Sequence, residues 1–157
     1  MSYFTVLLAL HVLGAIVGLG PTFTFGVIGS MMPNAGASAV SLMEAMAKIE
    51  KVLVNPVALF LQPVTGVLLI VESARHRSFF QREWLVAAIA LYVVILIISY
   101  GRTTPGLHRM IAMAKEGKAQ TPEFGALAKV QQTLGPVMGM SLLVIIVLMV
   151  WKPGDGV

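Results

Sequence analysis

The sequence predicts an all-α fold: a four-helix transmembrane bundle, built as two tandem helix-pair repeats. Three observations carry this. Hydrophobic residues make up 57% of the 157-residue chain and charged residues only 11%, against roughly 25% charged in soluble domains. Four apolar stretches each approach the roughly 20 residues that span hydrocarbon, and none holds Asp, Glu, Lys or Arg in its interior. A short segment ahead of the second stretch recurs ahead of the fourth. With a mean hydropathy of +0.88, a water-soluble fold would expose large apolar areas, so lipid is the natural solvent.

The chain reads as a single integral membrane domain over residues 1–157, with spans at about 3–29, 52–71, 84–100 and 134–151. The first span opens at Tyr3. The preceding residues carry no positive charge and the apolar run is too long for a cleavable signal, so it is expected to stay as a helix. It ends before Met32-Pro-Asn-Ala-Gly-Ala-Ser38, a breaker-rich turn. Ser41-Leu-Met-Glu44 has the spacing of a capping box, and helical periodicity runs from there into the second span. That span carries Asn55-Pro56 and Gln62-Pro63, seven residues apart and so on one face. Each proline removes a donor and frees a carbonyl for a polar neighbour, which reads first as a packing kink.

After the third span, Leu107, Met110, Ile111 and Ala114 recur at helical spacing, with His108, Arg109 and Lys115 off the stripe. This predicts a helix extension or an interfacial segment. Thr121-Pro122-Glu123 then supplies an N-cap, a first-position proline and an acid in the first turn. The two long links are therefore expected to be helical and to continue the spans. The repeat pairs Ala45–Leu53 with Ala126–Leu134 at an offset of 81, with Ala, Ala, Lys and Leu identical. Each copy then meets a proline, Pro56 or Pro136, and the copies share one membrane orientation.

Net charge and pI, +4 and about 9.7, fit basic loops against anionic headgroups. No basic run with interleaved aromatics points to nucleic acid. The first and third links hold Lys48, Lys51, Arg102, Arg109, Lys115, Lys118 and Lys129, while Arg75, Arg77, Arg82 and Lys152 fall at the other end. This bias predicts both termini outside. Tyr3, Phe4, Phe79, Phe80, Trp84 and Trp151 gather at that same end. There is no cysteine, which excludes disulfides and thiolate chemistry.

His11 is the foremost candidate for function. Ala15, Gly18 and Thr22 follow it on one helix face, and Gly14 with Gly18 permits close helix approach. A titratable side chain on such a face is a functional candidate and needs a partner. Counting about 12 Å down from the membrane end at 1.5 Å per residue brings Gln62, Thr65 and Tyr92 to the depth of His11. These four are the candidate cofactor- or ligand-binding layer; hydrogen bonding that merely locks helix register is the alternative. His76 reads as a solvated loop residue, and His108 as remote from His11, which excludes a bis-histidine haem. The ten methionines read as packing residues rather than copper ligands. No catalytic serine motif, nucleotide loop or metal-ligand spacing is present.

Leu10-His11-Val12-Leu13-Gly14-Ala15-Ile16, the glycine-rich first helix and Thr65-Gly66-Val67-Leu68-Leu69 together resemble the DUF2269 family of predicted bacterial integral membrane proteins. The resemblance implies a multi-pass protein of the bacterial inner membrane. In architecture that family is similar to copper-resistance D-type proteins and to small membrane protoporphyrinogen oxidases, which carry a histidine early in the first helix. This implies His11 as a haem or porphyrin contact. The chain departs from the oxidases in having no lysine inside a span, and from the copper proteins in lacking several intramembrane histidines. The leading expectation is a non-catalytic accessory subunit or small-ligand-binding bundle, in contact with membrane lipids and with a membrane-protein partner or a second copy. A haem- or porphyrin-binding redox protein using His11 comes second, and a small oligomeric transporter or channel third.

Overall fold

The computed structural model describes residues 2–73 and 82–153. It contains four long helices, here α1 (Tyr3–Met31), α2 (Ala39–Ser73), α3 (Glu83–Lys115) and α4 (Pro122–Trp151), each long and apolar enough to cross a membrane. No strand occurs among the described residues. The Arg75-His76-Arg77 link lies outside them.

Helix ends follow local chemistry. Ser2 caps α1, its hydroxyl accepting from the Thr5 amide at 3.2 Å. Thr121 caps α4 with Pro122 in the first turn, as its sequence predicts. The third helix ends in a Schellman turn: the Lys118 amide reaches the Met113 carbonyl, and Gly117 takes φ +74°, which glycine tolerates at least cost. The expected capping box at Ser41 is not formed. The 3₁₀ turn at Gly36–Ser38 runs into α2 at Ala39 with helical backbone angles. Ser41 thus falls inside the helix, where the amide it would have capped already has a helical partner.

The long links are helical continuations of the spans, so α2, α3 and α4 run well beyond their apolar stretches at one end. There Leu107 and Met110 of α3 meet Met43 of α2, flanked by Phe124 and Leu127 of α4. This is the stripe read as an extension or interfacial segment; it is the former. Lys115–Glu44 and Arg109–Glu123 pairs join the same helices across the surface. We call this the basic end, and the opposite one, with Tyr3, Trp84 and Trp151, the aromatic end.

Elsewhere burial is thin. Leu8, Val12, Ile16, Phe60, Val67, Ile97 and Val150 are among many large side chains left exposed, a surface that only lipid can solvate. Helix packing is selective. Toward the aromatic end α1 packs on α2 and α3 on α4; toward the basic end α2 packs on α3, and α1 on α4. Glycine sets the closest approach. A Cβ on Gly18 would lie 2.3 Å from Val57 Cβ, and one on Gly14 2.8 Å from Leu61 Cδ2.

Candidate functional site

Four prolines determine the backbone around the candidate residues. Among the described residues, π turns occupy Ala15–Leu19, Glu50–Val54, Val57–Leu61 and Ser99–Thr103. Each is followed by one residue and then a proline: Pro21, Pro56, Pro63 and Pro105. Proline clashes with the carbonyl four residues back and offers no amide; widening the turn relieves the clash. The residue before the proline then bonds five back, as Gln62 does to the Val57 carbonyl and Thr104 to the Ser99 carbonyl. One carbonyl per turn loses both helical donors: its i+4 amide is spent elsewhere and its i+5 residue is proline. These carbonyls belong to Ile16, Lys51, Ala58 and Tyr100. Such an acceptor in a bilayer needs a partner from outside its own helix ladder.

Tyr92 supplies one. Its hydroxyl donates to the Ala58 carbonyl at 2.6 Å, capping the acceptor freed by Pro63. Tyr92 is therefore not the partner of His11, although sequence depth places the two together. Depth alone ignored the freed carbonyl, which is the stronger and fixed acceptor.

His11 and Thr65 do meet. His11 Nδ1 lies 2.7 Å from Thr65 Oγ1. Thr65 Oγ1 also lies 2.6 Å from the Leu61 carbonyl, too close for two oxygens without a hydrogen between them. The threonine hydrogen therefore points to Leu61, and its oxygen accepts from His11 Nδ1–H. A neutral imidazole donating from Nδ1 carries a lone pair on Nε2, and Nε2 has no hydrogen-bond partner among the described residues. His11 sits on the stripe Leu7, His11, Gly14, Gly18 that faces the bundle, itself half-buried. A Cβ on Gly66 would stand 3.5 Å from its Cε1, ordinary van der Waals contact, so the ring packs against α2 at Gly66.

Gln62 lies one turn from Thr65 on the same buried face, 6% exposed against 4% for Thr65. Its Oε1 is buried with no hydrogen-bond partner, a cost of about 1–3 kcal/mol unless something donates to it. The structure thus joins His11 to Thr65, sets Gln62 one turn away on α2, and leaves two acceptors open among the described residues, His11 Nε2 and Gln62 Oε1.

A second polar cluster lies toward the basic end, and sequence reasoning missed it. Glu50, 9% exposed, accepts a hydrogen bond from the Thr104 hydroxyl. The Tyr100 hydroxyl donates to Asn55 Oδ1 at 2.7 Å, and Gln131 Nε2 to the Thr103 carbonyl at 2.6 Å. Glu50 sits just outside the apolar run that begins at Val52, so a search confined to span interiors passed over it. The available signal was a polar residue immediately before proline, Asn55 and Thr104. His108 is exposed on α3 at the basic end, apart from His11. Among the described residues no group of three His, Cys, Asp or Glu gathers to hold a metal ion.

Four helices long and apolar enough to cross a membrane, with many large apolar side chains exposed, define a polytopic integral membrane protein. The chain matches the model of the family described as predicted integral membrane protein (DUF2269) over residues 5–153, and it belongs to that family. It matches no curated protein and no solved structure.

Proposed function

We propose that the protein is a non-catalytic membrane bundle that binds a small ligand at the His11–Thr65–Gln62 layer. One observation carries this reading: the His11 Nδ1 hydrogen is committed to Thr65, which leaves a lone pair on Nε2, and one turn along α2 from Thr65 the buried Gln62 oxygen has no partner. Two open acceptors at one depth suit a ligand that brings donors or a Lewis acid. Among the described residues no nucleophile or second acid–base group is hydrogen-bonded to His11 or Thr65, which favours binding over catalysis. The basic residues at the link end support placing both termini outside, in a bacterial inner membrane. The ligand then sits in the outer half of the bundle.

A second reading rests on the same hydrogen bond. A metal-binding histidine usually gives its other ring N–H to an acceptor that fixes tautomer and orientation. The Thr65 hydroxyl plays that part here, so His11 fits a single axial ligand to haem or another metalloporphyrin.

Mass spectrometry of small molecules retained by gently purified protein, with its absorption spectrum, tests both. A ligand retained by the wild type and lost from His11→Gln supports the proposal, and a Soret band lost with it favours the porphyrin reading. Equal small-molecule content in wild type and variant overturns both.

A further inference from the structure

We infer that Glu50 is the anchor of a second site, one that binds a small monovalent cation of the Na⁺ class between α2 and α3. Glu50 and Thr65 are 15 residues apart on α2, on the order of 22 Å along a helix, so this site is separate from the His11 layer.

Charge is the first observation. The exposed acids at this end, Glu44, Glu116 and Glu123, each hold a lysine or arginine. Glu50, the buried acid, has no cationic partner among the described residues; its hydrogen-bond partner is the Thr104 hydroxyl. Lys48, Lys51 and Arg102 stand nearby in sequence or across the helix pair, yet all three are exposed. A buried carboxylate needs a compensating charge, and none stands within ion-pair reach among the described residues.

Donor chemistry is the second. The polar atoms that pair across α2 and α3 here, Glu50 Oε1, Asn55 Oδ1 and the Thr104 and Tyr100 hydroxyls, are all oxygens. The Thr104 hydroxyl has given its hydrogen to Glu50, and the Tyr100 hydroxyl has given its own to Asn55 Oδ1; both oxygens retain lone pairs. The π turn at Ser99–Thr103 frees the Tyr100 carbonyl, and Thr104, four residues on, stands beside it on the helix. The π turn at Glu50–Val54 frees the Lys51 carbonyl beside Asn55 in the same way. Hard cations take carboxylate, carbonyl and hydroxyl oxygens, and broken helices that expose carbonyls to a cavity are a recurrent way of holding Na⁺ in membranes. One carboxylate among neutral oxygens balances one positive charge. A divalent ion would leave an excess charge here.

The test uses the whole protein in detergent or nanodiscs at fixed pH and ionic strength. Thermal unfolding is followed by tryptophan fluorescence in NaCl, KCl and choline chloride, and ²²Na⁺ binding is measured directly. In the wild type, Na⁺ should raise Tm by a few degrees over choline, in a saturable way, and bound ²²Na⁺ should approach one per chain. Glu50→Gln should keep its choline Tm and lose both the Na⁺ increment and the bound ²²Na⁺. Should Glu50→Gln not fold, Thr104→Val takes its place; it should weaken ²²Na⁺ binding at least tenfold, while Thr104→Ser retains it. Equal Tm values for the wild type in the three salts with no saturable ²²Na⁺, or undiminished binding in Glu50→Gln, would overturn the inference.

Discussion

Replacing Tyr92 with phenylalanine deletes one hydroxyl and leaves the Ala58 carbonyl with no donor, because the Gln62 amide is bonded to Val57 and position 63 is proline. Interhelical side-chain bonds in membranes average about 0.6 kcal/mol, because the groups they join find other partners when separated. Ala58 has no such substitute within its helix, so the larger cost of an orphaned acceptor applies, about 1–3 kcal/mol. Pro63→Ala supplies the contrast. It restores an amide that can reach Leu59 in an α turn or Ala58 in the π turn, and with it a donor for the freed carbonyl. In that background the Tyr92→Phe cost should fall to a few tenths of a kcal/mol, a coupling of about 1–2 kcal/mol. Unfolding free energies of the four proteins in mixed micelles give the cycle. Additive costs would refute the claim that proline and π turn together create the acceptor that Tyr92 fills.

Gly18→Ala puts a methyl carbon into Val57 and should destabilise the bundle by about 1–3 kcal/mol; Gly14→Ala, which meets only the flexible end of Leu61, should cost less in the same unfolding measurement. Thr65→Val removes the acceptor of His11 Nδ1–H, so the neutral ring's tautomer preference should weaken, as seen by ¹⁵N chemical shifts of His11; Thr65→Ser should leave it unchanged. Thr121→Ala should loosen the start of α4 by about 1 kcal/mol, with faster hydrogen exchange confined to its first turn. Because the chain has no cysteine, single cysteines at Tyr3, Lys48 and Lys129 report sidedness directly. An impermeant maleimide on whole cells should label Tyr3→Cys, and leave Lys48→Cys and Lys129→Cys unlabelled until the cells are opened. Labelling of the two lysine positions from opposite sides would end the repeat proposal.

The bundle was legible because its signal is coarse: four uncharged apolar runs permit few other folds, and the Thr121 cap and the Leu107–Ala114 stripe are local, whereas Ser41 misled because the helix had already begun at Ala39. His11 was legible for the same kind of reason, since small residues at its helical spacing mark a packed face. The partners were harder. Tyr92 takes its role from a backbone carbonyl that a one-residue widening of the helix frees, and Asn55 and Thr104 take theirs from side chains across the helix pair. Hydropathy and side-chain depth contain no trace of that widening. Prolines marked where the helices would deviate, yet a kink and a π turn look alike in the sequence, and Pro136 lies inside α4 with no π turn before it. Glu50 was missed because the apolar run was taken as the limit of the buried region, although α2 stays packed well beyond it.

The π turns also fix the frame in which α2 is read. Each holds one residue more than an α turn, and one residue is about 100° of rotation. Two in succession turn the buried edge of α2 from α3, which it meets at Met43 and Glu50, to α1, which it meets at Thr65. An indel inside a helix ordinarily throws every later side chain out of register. Here the extra residues are already in place, so losing one residue together with Pro56 or Pro63 would regularise the helix while swinging Thr65 away from His11. The length of this segment, counted to the residue, is as much a specification of the His11 layer as the identities of the side chains that form it.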